Sequence, residues 1–486
     1  MRKLFRLFRV SERMRQLGDV IPRPASVRPV PDATFTIIPG LSGTAVSAPP
    51  GLSAVAAHLG LSFSDDGLSL SDDGAIRLAL DPALASEAYR LEITAESVTL
   101  TGGSAQGVFW GVQTLRQLGT ELPGGIIEDR PRYAYRSAML DLARHFFTPD
   151  EVKAHIDLLV QFKINHLHLH LTDDQGWRLE IPGWPRLTEI SGGAGTGVDG
   201  AGPGHLTLAE YADLVAYAAE RFVTIVPEID MPGHVNAVQV AYPELTADGA
   251  PVAPRTDAEV GYSSLVAAKE ETYAFVETVL KTVADLTPGP WLHIGGDECH
   301  STPAADYQAF LARVLPIPGA LGKTVIGWHE IAAADLPKGA VVQYWRTEPA
   351  DDAVARAAAD GRKVIVSPAD RTYLDMKYDA DTTLGLDWAG HVGVRRSYEW
   401  DPADRLPGVG EESILGVEAP LWSETLRSVA DVRYLTFPRL PAVAEVAWSP
   451  RDSRDWESFR ERLAAFGPVW TAAGVNFYRS PEIDWH

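Results

Sequence analysis

Beyond Pro131, the chain repeats one pattern: a short apolar run of β-type residues, a polar loop and, in most repeats, a helical segment. Alternating strands and helices form parallel sheets, because parallel neighbours need a crossover of about a dozen residues or more. The eight candidate strands are residues 136–142, 164–171, 222–228, 291–295, 324–328, 341–345, 363–367 and 414–418. Eight such units predict a (β/α)8 TIM barrel of the α/β class. The alternative, an open doubly wound sheet, lacks a strand-linked G-x-G-x-x-G motif.

The residues before the barrel have a mixed pattern, which predicts a small α/β domain over residues 33–132. Its β-like runs are Thr34–Ile38, Ala75–Leu80, Tyr89–Thr94 and Val98–Thr101, and residues 104–118 carry the apolar stripe of a helix. Residues 1–32 are predicted to be a basic tail followed by a Pro-rich extended linker. The catalytic barrel then occupies residues 133–486.

The basic tail does not resemble a secretory signal. Residues 1–15 contain six basic side chains, and Arg6 and Arg9 interrupt the apolar residues around them. A signal peptide needs an apolar core of about 7–15 residues, so none is recognised and a cytoplasmic location is favoured. A disordered tail is the favoured interpretation of this segment, and a basic amphipathic helix at a membrane surface is the alternative.

Charge and cysteine content exclude several classes of protein. The chain has 43 basic and 65 acidic side chains, a net charge of −22, which argues against a nucleic-acid partner. No apolar run approaches the roughly 18 residues of a membrane span, so no stable membrane insertion is expected. The single cysteine excludes an intrachain disulfide and a multi-cysteine metal site. We expect no cofactor, and the sequence sets no oligomeric state.

The polar and aromatic residues that follow the candidate strands predict an active site. In a barrel of this kind, the carboxyl ends of the strands build the active site. Each candidate strand ends in, or is soon followed by, such residues; examples are Asp141 to His145, Thr172 to Arg178, Glu228 to His234, Asp297-Glu298, Trp328 to Glu330, Trp345, Tyr373 to Asp375 and Trp422 to Glu424. So many polar clusters at one end of a barrel favour a functional site over isolated loop caps.

The residue types in these loops indicate a sugar as the substrate. Indole rings stack on the C–H faces of sugars, and the tryptophans in these loops are Trp328, Trp345, Trp388 and Trp422. Charged side chains can bond the hydroxyls in the plane of a sugar ring, and those available are Arg144, Asp173, Asp375 and Glu424. A phosphate pocket would instead need an excess of Lys and Arg.

Asp297-Glu298 is the sharpest chemical feature of the sequence. Most glycosidases place two carboxylates across the scissile bond, about 5 Å or about 6.5–9.5 Å apart, and adjacent residues cannot easily do this. A different division of labour fits the dipeptide better: Glu298 protonates the leaving oxygen, and Asp297 steadies a 2-acetamido group of the substrate that acts as the nucleophile. Substrate-assisted hydrolysis of this kind is a known exception to the two-carboxylate rule.

Four long motifs resemble glycoside hydrolase family 20, whose members are exo-acting β-N-acetylhexosaminidases. They are Arg144 to Phe147, His168 to Arg178, Pro227 to His234, and His293-Ile-Gly-Gly-Asp297-Glu298. The resemblance covers about residues 33–486, including the small α/β domain. It implies hydrolysis of terminal non-reducing GlcNAc or GalNAc from oligosaccharides or glycan ends, through an oxazolinium intermediate.

The resemblance also implies roles for individual residues. Glu298 is the acid/base, Asp297 orients the acetamide and Tyr373 bonds its carbonyl oxygen. Trp328, Trp345 and Trp422 wall the pocket, and Arg144 and Glu424 hold the sugar hydroxyls. Asp375 and Trp388 are further lining residues, while Asp173, Asp230 and His234 support the catalytic pair from behind. One departure is His329, where the family often has Asp or Asn, so this position is expected to touch a neighbour or a leaving-group sugar.

Other interpretations of the same residues stay open at this stage. His166, His168 and His170 alternate along one strand face over about 13 Å, too far to share one ion, so hydrogen-bonded barrel histidines are preferred to a metal site. Cys299 has no pairing base in its motif, which favours a small buried filler over a nucleophile. An endo-chitinase-like barrel hydrolase and a non-catalytic sugar-binding barrel are the alternative functions.

Overall fold

The computed structural model describes residues 16–37, 46–59, 75–349 and 351–485. The basic tail, residues 1–15, and Ile38 of the first predicted run lie outside the described residues. Within those ranges, no helix combines the length and the apolar character that crossing a membrane requires.

The small N-terminal domain is a six-stranded mixed sheet with the strand order β1-β6-β4-β5-β3-β2. Its strands are β1 Ser26–Thr36, β2 Val46–Ser47, β3 Ile76–Leu80, β4 Tyr89–Ile93, β5 Val98–Gly102 and β6 Glu121–Asp129. Helix α2, Ala105–Leu118, confirms the predicted helix and buries most of its residues. Ser104 begins it by accepting a hydrogen bond from the Gln106 amide.

Two predictions for this domain need correction. The linker interpretation of residues 26–31 is wrong, because they belong to β1, which pairs antiparallel with β6. Leu17, Val20 and Ile21 are likewise buried in the core. Strand β6 was not predicted, since Pro123, Gly124 and Gly125 interrupt its apolar alternation. The domain boundary at residues 132 and 133 stays a prediction.

The rest of the chain forms the predicted barrel, which closes in the order β11-β12-β13-β14-β15-β16-β7-β8 with parallel pairing throughout. Its strands are β7 Tyr135–Asp141, β8 His166–His170, β11 Thr224–Glu228, β12 Trp291–His293, β13 Thr324–Trp328, β14 Val341–Tyr344, β15 Lys363–Val366 and β16 Ile414–Ala419. A two-stranded hairpin follows β8, with β9 Thr172–Asp173 and β10 Gly176–Trp177. All eight predicted barrel strands are therefore confirmed within a few residues.

Helices cover the outside of the barrel and fill the loops. The α-helices are α1 Ser53–Ala57, α2 Ala105–Leu118, α3 Pro149–Leu159, α4 Arg186–Glu189, α5 Leu208–Ala219, α6 Asn236–Ala241, α7 Glu270–Leu286, α8 Ala304–Val314, α9 Pro316–Ala320, α10 Asp352–Ala359, α11 Ala369–Thr372, α12 Val394–Tyr398, α13 Val429–Thr436, α14 Arg439–Trp448, α15 Trp456–Ala464 and α16 Phe466–Ala473. Helix α3 begins with a full capping box between Thr148 and Glu151.

Buried charged and polar groups join the two domains. Asp129 of β6 pairs with Lys163, whose Nζ lies 2.9 Å from Asp129 Oδ2, and both side chains are buried. The Trp448 Nε1 also donates to Asp129 at 3.0 Å. Breaking such a pair leaves an unpaired buried charge, which typically costs about 3–5 kcal/mol. The small domain therefore supports the barrel from behind, away from the carboxyl ends of its strands.

Candidate active site

The loop after β12 carries the two central carboxylates in an unusual backbone conformation. Glu298 has φ +46°, and Gly295 and Gly296 before it have φ of +67° and +101°. A Cβ on Gly295 would lie 1.7 Å from Asp230 Oδ1, so only glycine fits at that position. A positive φ is strained for glutamate, and such strain concentrates at functional sites. The loop presents Asp297 and Glu298 differently: their side chains are 10 % and 28 % exposed.

His234 joins this carboxylate pair to a third acid. Its Nε2 lies 3.7 Å from Asp297 Oδ2 and 3.7 Å from Glu298 Oε2. On the other side of the ring, Nδ1 lies 3.1 Å from Asp173 Oδ1. Burial opposes a charged imidazole here, but Asp173 and Asp230 together raise the pKa of His234 well above its usual value. The sequence placed these residues behind the catalytic pair, and the structure brings them together there.

Arg144 lies at the floor of the same region. Its guanidinium contacts Asp173 Oδ2 at 2.8 Å and Asp141 Oδ2 at 3.4 Å, and it lies 5.0 Å from the centre of the Trp422 ring. Burial would raise the pKa of Asp173, but Arg144 and His234 hold it well below the usual range. Asp173 is therefore an anion that fixes the position of both cations around it.

Four aromatic side chains form the upper part of the site. Trp345 and Trp388 meet edge to face with ring centres 5.9 Å apart, and Tyr373 packs on Trp388 at 5.8 Å. Tyr373 also lies 6.5 Å from Trp422. Trp388 is 52 % exposed, whereas the other three are partly or fully buried. This arrangement gives apolar ring faces beside the carboxylates, as a sugar-binding pocket requires.

Trp328 lies deeper than an exposed wall would. It is 1 % exposed, and its Nε1 donates to Glu228 Oε1 at 2.8 Å. Its indole lies 5.9 Å from the ring of Trp422 and 5.1 Å from that of His293. The structure thus places Trp328 under Trp422, at the base of the aromatic group.

The remaining predicted lining residues are two acids that influence each other. Burial and then the charge of Glu424 raise the pKa of Asp375 well above its usual value. Burial likewise raises the pKa of Glu424 to about 7, although Arg144 opposes the shift. Among the described residues, Glu424 Oε2 has no hydrogen-bond partner. A buried acceptor without a partner suits a substrate hydroxyl, because a bound donor would satisfy it.

The acids around Asp297 also have shifted pKa values. Burial, then the charge of Asp230, raise the pKa of Asp297 well above its usual value. Burial raises the pKa of Asp230 to about 7, with His234 opposing. Asp230 Oδ1 accepts a hydrogen bond from the Gly296 amide at 3.0 Å, which ties the loop after β11 to the loop that carries Asp297 and Glu298. Asp297 Oδ1 has no partner among the described residues and is available to a substrate N–H.

The three alternating histidines of β8 are hydrogen-bonded barrel residues, as preferred from the sequence. His168 and His170 both contact buried carboxylates, and His166 Nδ1 lies 2.6 Å from Asn165 Oδ1. Several triads of buried His, Asp and Glu are close enough to hold an ion, for example His168, Glu228 and His293. Their carboxylates already accept hydrogen bonds from cationic or polar donors. The expectation of no metal stays a prediction.

His329 and Cys299 both contact neighbours rather than open solvent. His329 is 3 % exposed and packs edge to face on the rings of Tyr344 and Trp345, at 5.4 and 5.7 Å. It therefore lies behind Trp345, where a leaving-group sugar would not touch it. The Cys299 thiol donates to the Asp297 carbonyl at 3.1 Å, and burial raises its pKa. A thiol in that state is a poor nucleophile.

Two residues that support the site were not predicted from the sequence. Gln175 accepts a hydrogen bond from Arg144 Nε at 3.0 Å, although its motif had been singled out. Tyr307 of α8 donates to the Gly296 carbonyl at 2.7 Å and so holds the loop that carries Asp297 and Glu298. Nothing in the local sequence around Tyr307 signals this contact, which depends on the docking of α8 against the loop.

Comparison with known proteins identifies the family. The model of the glycosyl hydrolase family 20 catalytic domain matches residues 133–308 and 302–451, and that of family 20 domain 2 matches residues 18–130. A β-N-acetylhexosaminidase of Cellulomonas fimi is 44 % identical over 417 residues, covering 84 % of each chain. A β-hexosaminidase of Akkermansia muciniphila is 34 % identical over 415 residues, covering 79 % of this chain and 83 % of that protein.

A solved structure agrees with these matches over the full length. A mutant Streptomyces plicatus β-hexosaminidase, in complex with the product GlcNAc, superposes with a TM-score of 0.93 at 48 % identity and covers 100 % of both chains. The family models, the relatives and the barrel with its paired acids all agree. The chain belongs to glycosyl hydrolase family 20.

Proposed function

We propose that this glycoside hydrolase is an exo-acting β-N-acetylhexosaminidase, which removes terminal non-reducing β-linked GlcNAc or GalNAc with retention of configuration. The observation that carries the proposal is the placement of Asp297 and Glu298 as neighbours on one strained loop, beside His234 and close to Tyr373. Neighbouring acids on one loop are poorly placed to act from opposite faces of a sugar. A nucleophile supplied by the substrate removes that requirement.

Glu298 and the acetamide group then divide the chemistry. Glu298 gives its proton to the leaving oxygen, while the acetamide carbonyl oxygen attacks the anomeric carbon and forms an oxazolinium ion. Glu298, now a carboxylate, takes a proton from the water that opens this ring. Its partial exposure suits both tasks, because the leaving group and the water must reach it.

Asp297 stabilises the cation that develops during ring formation. Its free Oδ1 accepts the acetamide N–H, whose charge grows in the transition state. Burial raises the pKa of Asp297, and the positive charge of the oxazolinium ion favours its ionised form again. Tyr373 positions the acetamide oxygen from the aromatic side, so the nucleophile is held near its target.

The remaining residues bind the sugar. Arg144 and Glu424 take the hydroxyls at the pocket floor, and Asp375 completes that set. Trp345, Trp388 and Trp422 provide the ring faces, with Trp328 beneath them. Arg144 and Asp375 are buried, and charged groups at the base of the site favour one terminal sugar over a continuing chain, which supports exo over endo cleavage. The expectations of no nucleic-acid partner and no cofactor stay predictions.

The direct test compares paired chromogenic β-glycosides of GlcNAc, GalNAc and glucose. We expect turnover of one or both N-acetyl sugars and very poor turnover of the glucoside, which lacks the nucleophile. A thiazoline mimic of the intermediate should bind far more tightly than GlcNAc. A 2-fluoro glycoside should leave the protein mass unchanged. A glycosyl ester trapped on Asp297, Glu298 or Glu330 would refute the substrate-assisted mechanism, and the release of oligosaccharides from chain interiors would refute the exo assignment.

A further inference from the structure

A line of buried charged side chains extends from the active site into the barrel interior. The ring of His170 lies between two carboxylates: Nδ1 is hydrogen-bonded to Glu228 Oε2, and Nε2 lies 2.8 Å from Asp173 Oδ2. Asp173 then contacts His234, which faces the catalytic pair. Both nitrogens of His170 must therefore donate, which they do only in the imidazolium form.

The line continues one step deeper with His168, which also lies between two carboxylates. His168 Nε2 lies 3.0 Å from Glu228 Oε2, and its Nδ1 lies 2.9 Å from Glu418 Oε1. Tyr135 and Gln343 also donate to Glu418, at 2.9 and 2.6 Å. Anion and cation alternate along the whole series, which runs in the order Glu418, His168, Glu228, His170, Asp173, His234.

Every member of this series is buried, with side-chain exposures between 0 % and 3 %. A buried charge persists only where neighbours of opposite sign compensate for its lost hydration. The charge of each group therefore depends on the next, so a change at one position alters the balance at its neighbours. If these positions served only to fill the barrel interior, apolar side chains would be sufficient.

We propose that His170, supported by Glu228 and His168, is a positioning residue for the acid/base step: it holds the Asp173 carboxylate oriented toward His234, and so supports proton transfer by Glu298. The inference rests on the proposed function, since it takes Glu298 as the acid/base. In this proposal His170 acts through Asp173 and His234, and its ring also meets that of Trp422 edge to face, with centres 4.8 Å apart.

The charged groups that face this line come from several elements. His170 meets Glu228 of β11 and Asp173 of β9, and Asp230 is close enough to share an ion with His170 and Asp173. His234 faces Asp173, Asp174, Asp230, Asp297 and Glu298. His293 Nδ1 lies 3.0 Å from Glu228 Oε1, and Glu228 also accepts a hydrogen bond from Trp328. Arg144 keeps Asp173 ionised when His170 is removed, so only the contribution of His170 is lost.

The experiment is a graded series along β8: His170→Gln, His168→Gln and His166→Gln. His166 is the matched control, because it lies on the same strand face but pairs with Asn165 and Trp291 instead of a carboxylate. Burial lowers its pKa to about 3, so it carries no charge to lose. For each variant, the pH profile of kcat/KM is measured with an aryl GlcNAc glycoside and with a β-linked GlcNAc disaccharide.

Removing the cation of His170 raises the pKa of the nearby carboxyls, so both limbs of the profile should move to higher pH, by about half a pH unit. His168→Gln should give a smaller shift in the same direction, and His166→Gln none. In His170→Gln, the disaccharide should lose at least about threefold more rate than the aryl glycoside, since its leaving group needs the proton more.

Equal profiles for His170→Gln and His166→Gln would overturn the inference, and so would equal losses on the two substrates. If His170→Gln does not fold, His168→Gln becomes the test. A pH profile of kcat/KM that moves further than that of His166→Gln supports the inference, and a profile that does not move overturns it. The wild-type enzyme separates the two proposals. If the wild type does not turn over the GlcNAc substrates, the proposed function itself is refuted. If it does, but all three variants have the same pH profile, only the role of His170 is refuted.

Discussion

The barrel interior contains an apolar cluster and a charged series, which share strand β11. The apolar cluster consists of Tyr135, Val226, Ile326, Val341 and Ile365. Two residues further along three of these strands, on the same face, stand Glu228, Trp328 and Gln343. Side chains on a strand repeat every second residue, so one step of two positions changes the interior from apolar to polar.

The difference shows how one scaffold separates stability from chemistry. The apolar cluster lies toward the amino ends of the strands and gains its stability from burial and packing, which are insensitive to pH. The charged series lies toward the carboxyl ends, where the loops build the site. Its groups are costly to bury, and they are satisfied only in one arrangement.

The largest expected effect lies at the charged end. Glu298→Gln removes the proton donor but keeps the shape of the side chain, so rates on unactivated disaccharides should fall by about 10³–10⁴. Aryl glycosides with good leaving groups should lose much less. Steady-state kinetics on both substrates measures the difference, and thermal unfolding should show little change. Equal losses on both would place the acid elsewhere.

Asp297→Asn tests the second acid of the same loop. The lost interaction strengthens mainly as positive charge develops, so kcat should fall by about 10²–10³ while KM changes little. The measurement is kcat and KM on an aryl GlcNAc glycoside. A variant that mainly raises KM would instead make Asp297 a ground-state binding residue.

The apolar cluster should respond in the opposite way. Ile326→Ala leaves a cavity at a fully buried position and should cost about 2–5 kcal/mol in the free energy of unfolding. Activity per folded molecule should stay near that of the wild type, as measured by active-site titration below the unfolding transition. Ile365→Val, in the same cluster, is the milder control at about 1 kcal/mol. A large loss of kcat in both would contradict the separation of roles.

The charged series should make stability depend on pH. Burial opposes a charged His168, but Glu418 and Glu228 raise its pKa to about 9 from 6.5. The contribution of His168 to the free energy of unfolding is complete below pH 6.5 and is lost as the pH rises to about 9. Between these two values, only the folded state keeps the proton on His168. The free energy of unfolding should fall by on the order of 3 kcal/mol over that interval. Denaturant titrations at several pH values measure the free energy of unfolding against pH. This free energy should fall less steeply with pH in His168→Gln than in the wild type, whereas Ile326→Ala should keep the wild-type dependence on pH.

The smallest effect is expected at the exposed rim. Trp388 is half exposed and contacts Trp345 and Tyr373 only by ring edges. Trp388→Ala should raise KM several-fold, an effect of about 1 kcal/mol, with little change in kcat. Trp388→Phe keeps a ring face and should recover most of the affinity. If Trp388→Ala instead lowered kcat strongly, the indole would be ordering the acetamide through Tyr373.

The sequence alone predicted the barrel, its eight strands and the loop that holds Asp297 and Glu298. Periodicity and strand-end chemistry are local signals, so neighbouring residues carry them. The same locality explains why β6 was not predicted. Its glycines and proline disfavour a strand locally, and β6 forms because it pairs with β4 and β1. Likewise, the alternation of histidines along β8 predicted a shared face but not their partners.

Only the tertiary structure decided which groups meet. Glu228 reaches His170 across 58 residues of sequence, and His168 reaches Glu418 across 250. Arg144 lies against Trp422, and Tyr307 holds Gly296, through contacts that no local motif encodes. The strand pattern determined that polar side chains gather at one end of the barrel. Their pairing, and therefore their charge, depends on strand register and loop docking, because electrostatic interactions in a buried site depend on distances of a few ångströms between residues remote in sequence.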